Sequence, residues 1–187
     1  MSSDIPGRAV GAACGNPLEV FLEERFLKPL KMVDSGIKIL QKKVGRMAQP
    51  LTMYPATGLP NKMLDVTIEP GNASGGAGGV STAADYMRFA MMMQRGGELD
   101  GQRVLSPTTV SLMTADHLGS KVAAPLSPGE LLMGVPGYTF GLGFMVRQGA
   151  GIAGLTGSEG EYMWAGAGGT FFWVDPKQNL AVVMMSQ

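Results

Sequence analysis

An α+β fold is predicted for this chain, with helices in the first half and an antiparallel sheet at the end. Three observations predict it. Helix caps and apolar residues at helical spacing dominate residues 4–30 and 81–116. The period changes near residue 138, where Tyr138, Phe140, Leu142, Phe144 and Val146 alternate with smaller or polar residues as in a half-buried strand. Short strand-like runs at 169–174 and 180–186, separated by the turn at 175–179, then imply an antiparallel meander packed against helices.

Along the chain, Asp4 is placed to cap a first helix ending before Gly15. Asn16, with Pro17 after it and Glu19 completing a capping box, predicts a second helix. Its apolar face carries Leu18, Phe21, Leu22 and Phe26, while Glu23, Glu24 and Arg25 point outward. Residues 31–80 are punctuated by Pro50, Pro55, Pro60 and Pro70 and read as an irregular excursion within the same domain. Thr82, with Asp85 three residues on, opens a helix to about Gln94 that Gly96 and Gly97 close. Ser106-Pro107 starts another, and residues 118–137 read as a Pro- and Gly-rich loop.

Composition narrows the function. With 187 residues and 45% hydrophobic content the chain suits one domain with its own core. Fifteen basic against fifteen acidic residues give zero formal charge, which argues against nucleic acid or an anionic membrane as partner. The single cysteine, Cys14, excludes an internal disulfide and any cysteine metal cluster, and the single histidine, His117, cannot anchor an ordinary zinc site. No metal or cofactor is expected. No apolar run approaches the ~20 residues of a membrane span, and the first residues lack a signal-peptide core, which favours a cytoplasmic location. The 15 methionines, notably Met91 to Met93, read as adaptable core filling.

A hydrolase needs a nucleophile, a base within reach and donors for the developing oxyanion. G-x-S-x-G does not occur, and S-x-x-K occurs once, at Ser35-Gly-Ile-Lys38. Gly36 and neighbouring β-branched residues oppose the helix that this motif needs, so it reads as chance. The glycines at 75–79 lack the Lys-Ser/Thr ending of a phosphate loop. There remains Trp164-Ala165-Gly166-Ala167 with Gly168, Gly169 and Thr170. These residues form either a site wall, where small residues admit a close approach, or a tight bend between strands beside a core tryptophan.

Four ordered segments carry a resemblance. Residues 16–35 are similar to a "G-x-P-L…F-x-P-L-G-M-x-D-T" stretch, and residues 75–89 to "G-G-G-G-L-x-S-T-A-x-D-Y-x-R-F". Residues 97–107 are similar to "G-E-L-D-G-x-R-L-L-S-P", and residues 160–187 to "G-x-x-W-G-G-A-A-G-T-x-F-W-V-D-P". The set resembles the C-terminal portion of class C β-lactamase and penicillin-binding-protein-like serine hydrolases, family VIII carboxylesterases above all. The resemblance implies a β-lactamase-like fold, incomplete without an N-terminal part, with an active site between an α/β and a helical domain. Trp164-Ala165-Gly166 falls where K-T-G stands in β-lactamases, making these residues substrate-binding and Ala167 the backbone N–H of the oxyanion hole. Tryptophan in place of lysine offers an apolar face to a neutral acyl or alcohol group.

By the same resemblance the S-x-x-K element and the family tyrosine belong upstream of Met1. Ser35 stands instead at the "M-x-D-T" position. The implied function is part of a serine carboxylesterase working through an acyl-enzyme on a small ester. A β-lactamase, D-amino peptidase or amide hydrolase parent, and a non-catalytic fragment, are the alternatives. The expected partners are a small ester or amide substrate, the N-terminal portion of the same protein, and a second copy by self-association.

Overall fold

The computed structural model describes residues 3–61, 65, 67–68, 73–119, 128–166 and 168–186. Two compact units are present, one of residues 1–86 with 186–187 and one of residues 87–185.

The first unit begins with α1 (Asp4–Cys14), which Gly15 ends in the left-handed conformation at φ 67°. Asp4 is not its cap. Ser3 already has helical φ and ψ, and the Asp4 carboxylate instead accepts a 2.5 Å hydrogen bond from Ser74 Oγ. The expected capping box at Asn16 does not form either. Pro17 is extended at ψ 146°, so α2 (Leu18–Leu22) starts one residue later with Val20 and Phe21 N–H bonded to the Pro17 carbonyl. The helix then widens into a π-helical turn, Glu23–Leu27, with Lys28 N–H reaching Glu23 O. Pro29 has no N–H to donate to the carbonyl four residues back, and a widened turn is one way a helix absorbs that loss. The predicted apolar face is nonetheless the half-buried one, and it leads to Leu30, which is fully buried. Beyond it lie a short 3-10 helix (Gln41–Arg46) and an isolated antiparallel bridge between Gly36 and Val80.

Helix α3 (Ala83–Gln94) runs on from the first unit into the second. Thr82 Oγ1 accepts from Asp85 N–H, and the end at Gly96 and Gly97 is a Schellman arrangement, Gly97 N–H to Met92 O and Gly96 N–H to Met93 O. Met92 and Met93 are buried in the core. A two-residue hairpin of β1 (Glu98–Leu99) and β2 (Gln102–Arg103) follows, then α4 (Pro107–Met113), capped by Ser106 Oγ on Thr109 N–H.

The region expected to be loop up to residue 137 contains a helix, α5 (Pro128–Met133). Pro128 at its start, Glu130 in its first turn and Gly134 at φ 69° behind it are ordinary start and stop signals, obscured in sequence by the surrounding glycines and prolines.

The sheet is a five-stranded antiparallel meander in chain order: β3 (Tyr138–Phe140), β4 (Met145–Arg147), β5 (Tyr162–Ala165), β6 (Phe171–Asp175) and β7 (Leu180–Met184). The single strand predicted over 138–147 is therefore two. Gly141 lies so close to α4 that a Cβ there would stand 2.2 Å from the Met113 carbonyl oxygen, and Gly143 turns back at φ 91°. The alternation that suggested one strand continues through a hairpin turn. One face carries Tyr138, Met145 and Met163 of the buried core cluster. The other brings Phe144 within 5.4 Å of Tyr162 and 6.0 Å of Phe172, with Phe89 of α3 edge-on to Phe172.

A charged network lies inside this unit. Arg147 Nη1 donates to Glu161 Oε1 at 3.0 Å, and Tyr138 Oη donates to the same oxygen at 2.7 Å. The other two Arg147 nitrogens, Nη2 and Nε, donate to the carbonyls of Leu155 and Gly149. Arg147 is 1% exposed and Glu161 4%. Burial, and then the Glu161 carboxylate beside it, pushes the Tyr138 hydroxyl up to about 12. Residue 157 has to be glycine, because a Cβ there would meet Arg147 Nη1 at 2.2 Å and Glu161 Oε2 at 2.4 Å.

Replacing Glu161 by Gln leaves the Arg147 charge buried without a counter-charge. Equilibrium urea unfolding is expected to show Glu161→Gln destabilised by about 3–5 kcal/mol. The double replacement Arg147→Met with Glu161→Leu should restore most of that loss. A change below about 1 kcal/mol for the single variant would mean that the guanidinium reaches water.

Candidate active site

Strand β5 is held on both sides. Tyr162 and Met163 pair with Val146 and Met145 of β4, while Trp164 and Ala165 pair with Phe172 and Phe171 of β6. The Trp164 ring meets Phe140 edge-on, with centroids 5.4 Å apart and planes at 66°, and it packs half-buried against the core cluster. Ala165 is half-buried and Gly166 exposed. Gly166 N–H then donates to Thr170 O and Gly169 N–H to Gly166 O, with Gly169 at φ 84°. Gly169 supplies the left-handed residue that a tight turn between antiparallel strands needs. Trp164, Ala165 and Gly166 are thus brought to the end of β5 where it turns. Ala167, the assigned oxyanion donor, lies outside the described residues.

The Ser35-Gly-Ile-Lys38 stretch sits in the first unit, and it is not helical. Gly36 bridges to Val80, so Lys38 is not carried one helical turn beyond Ser35. Ser35 Oγ donates to Asp85 Oδ2 at 2.9 Å and lies 2.7 Å from Ser81 Oγ. The same Asp85 oxygen accepts from Asp34 N–H at 2.6 Å. The hydroxyl proton thus faces a carboxylate that also accepts a backbone N–H, rather than a lysine amine one helical turn on. Beside it is a cavity of about 80 Å3 bordered by Ser35, Lys38, Lys43, Arg46 and Ser81. Small-molecule sites usually occupy about 300–1,000 Å3, so little beyond a small ion fits.

Sequence reasoning treated Asp85 only as a helix-capping acid. The structure uses Thr82 for the cap and turns the Asp85 carboxylate onto residues 34 and 35. Asp34 itself is clasped by Arg46 through two 3.0 Å hydrogen bonds and by Lys43 at 2.7 Å. Those bonds, Arg46 first, hold its carboxyl at about 2. His117 lies at the end of α4, with Nε2 donating to Leu112 O at 2.7 Å and its backbone N–H to Phe140 O.

Comparison with known proteins decides the family. The Beta-lactamase family model matches residues 2–187. This chain belongs to the Beta-lactamase family. Protein Rv1367c of Mycobacterium tuberculosis is 32% identical over 199 residues, which cover 98% of this chain and 47% of that relative. Among solved structures, "EstCE1, a hydrolase with promiscuous acyltransferase activity" superposes with a TM-score of 0.75 at 23% identity, over 98% of this chain and 49% of EstCE1. Unliganded simvastatin synthase (LovD) from Aspergillus terreus gives 0.79 at 24% identity over 98% and 48%, and a penicillin-binding protein homolog from Caulobacter crescentus gives 0.64 at 21% over 96% and 49%. The fold is therefore β-lactamase-like, and the chain spans about half the length of the relatives it matches.

The Asp34 clasp gives this Beta-lactamase family chain a measurable pH signature. Its folded-state pKa lies below the unfolded value of about 3.9, so its contribution to stability is complete above that value and is lost as pH falls toward 2. Carboxyl-detected NMR is expected to show an Asp34 midpoint near about 2, moving upward in Arg46→Gln. An unshifted midpoint near the ordinary carboxylate value would mean that the clasp does not persist in solution.

Proposed function

We propose that this chain forms one wall of a serine hydrolase site that cleaves carboxylic esters through an acyl-enzyme, and that the nucleophile and base lie outside these 187 residues. The observation that carries the reading is Trp164 at the end of β5. By the motif resemblance it takes the place of the family's K-T-G lysine, and its ring meets Phe140 edge-on. A lysine there would recruit a carboxylate, whereas an indole fixed against a phenyl ring presents an apolar wall to an uncharged acyl or alcohol group. Following it, Gly166 opens the hairpin in which Ala167 is the proposed oxyanion donor.

In this reading a serine hydroxyl attacks the ester carbonyl, and a base removes its proton. The carbonyl oxygen becomes an anion held by the Ala167 N–H and the nucleophile's own N–H. Such donors act mainly in the transition state, so they lower the barrier rather than tighten ground-state binding. When that intermediate collapses, the alcohol leaves carrying the proton from the base, and water, activated by the same base, then hydrolyses the acyl-serine and frees the acid. The acyl chemistry in EstCE1's description supports the same reaction class. The proposed partners are accordingly an ester substrate and the complementary N-terminal portion.

The non-helical Ser35-Gly-Ile-Lys38 stretch supports placing the nucleophile elsewhere. Incubated alone with p-nitrophenyl butyrate, the purified chain is expected to release nitrophenol at the background rate, and Ser35→Ala should not change it. Turnover that Ser35→Ala abolishes would overturn the proposal and make Ser35 the nucleophile.

A further inference from the structure

We propose that the cavity beside Ser35 binds a tetrahedral oxyanion, with inorganic phosphate as its representative, and that the bound ion pins the 3-10 helix to Ser81. The inference is independent of the hydrolase reading.

The sequence concentrates positive charge at this place. The chain as a whole is neutral, yet no acidic residue occurs between Asp34 and Asp65, and Lys38, Lys42, Lys43 and Arg46 all fall in that interval. Folding carries Lys38, Lys43 and Arg46 to the border of one cavity and leaves Lys42 outside it. Asp34 is the single carboxylate among the bordering residues. The Asp85 carboxylate is not among them, and it accepts from Asp34 N–H and Ser35 Oγ.

A clasp on Asp34 alone does not account for the arrangement. One cation neutralises one carboxylate, and Arg46 does so with both of its terminal nitrogens. Lys43 adds a second charge 2.7 Å from Asp34 and is fixed by the Val33 carbonyl as well. Lys38, held by an interaction of its own, brings a third to the border. Lys43 and Arg46 both keep N–H donors beyond those spent on Asp34 and Val33. Ser81 Oγ, 2.7 Å from Ser35 Oγ, adds a hydroxyl that can turn toward an acceptor. Cations that the fold already orients lose less freedom when a ligand arrives.

Size selects the ligand. A cavity of about 80 Å3 holds about five water-sized spheres. A halide fills one of them and a phosphate monoester overruns them, whereas a tetrahedral oxyanion fills most. Hydrogen bonds from guanidinium and ammonium groups to such oxygens are the strong, charge-assisted kind. All bordering residues lie in 33–47 and 80–82, which the Gly36–Val80 bridge ties together within the first unit.

Isothermal titration calorimetry of the purified chain with sodium phosphate, at an ionic strength fixed with chloride, is expected to show one saturable site with a Kd below about 1 mM. Lys38→Gln should weaken it at least about tenfold by removing one charged donor. Lys42→Gln, which removes the neighbouring cation outside the cavity, should leave it unchanged. Circular dichroism must show that both variants fold.

A second measurement needs no variant. In amide-detected NMR, phosphate should shift the signals of residues 33–47 and 80–82 and no others, saturating with the same Kd. Glycerol phosphate should bind at least about tenfold more weakly, because the ester does not fit the cavity. No saturation by about 20 mM phosphate would overturn the site. Equal losses in the two lysine variants, shifts spread over lysines along the whole chain, or glycerol phosphate binding as tightly as phosphate would overturn it too.

Discussion

Arg147 and Glu161 face each other in the interior of the sheet unit with almost no access to water, and neighbouring strands depend on that meeting. Removing both charges from water costs several kcal/mol, which only tight, fully satisfied geometry can offset. Here every guanidinium nitrogen finds an acceptor, in Glu161 or in the carbonyls of Leu155 and Gly149, and Tyr138 adds a hydroxyl donor to the carboxylate. The backbone follows, with Arg147 N–H bonded to Glu161 O and Gly160 N–H to Arg147 O. β3, the end of β4 and the entry to β5 are therefore tied at one point. Because a strand slip of one residue would carry the charge to the opposite face, the pair also fixes register. Trp164 lies three residues beyond Glu161, so the same contact sets where the proposed wall stands.

The first unit uses a different device. Asp85 gathers Asp34 N–H and Ser35 Oγ at the start of α3, and Asp34 gathers Arg46 and Lys43. This consumes the hydroxyl of the chain's S-x-x-K motif in holding the segment before the 3-10 helix.

Much of this was legible because it is local. Thr82 and Ser106 announce helix starts, Gly96 and Gly97 an end, and the alternating run from Tyr138 a sheet. What escaped was non-local or ambiguous in period. The alternation through residues 138–147 does not reveal that Gly141 must clear a carbonyl of α4. Proline and glycine around α5 suggested loop while also supplying its start and stop. Asn16 and Glu19 had the right spacing for a cap, but Pro17 took an extended conformation between them. At the proposed wall, the family motif singled out Trp164 but could not show Phe140 beside it. The pairing of Asp85 with Ser35 spans 50 residues, beyond any spacing rule.

The central claim is that this chain supplies a wall of a hydrolase site and no activated nucleophile of its own. Treating the folded chain with a fluorophosphonate and measuring its intact mass tests that most directly, because such reagents modify activated serines. The unmodified mass is the expected result, because the Ser35-Gly-Ile-Lys38 stretch is not helical and Lys38 does not follow Ser35 by one helical turn. A stoichiometric adduct mapping to Ser35, lost on denaturation, would contradict it.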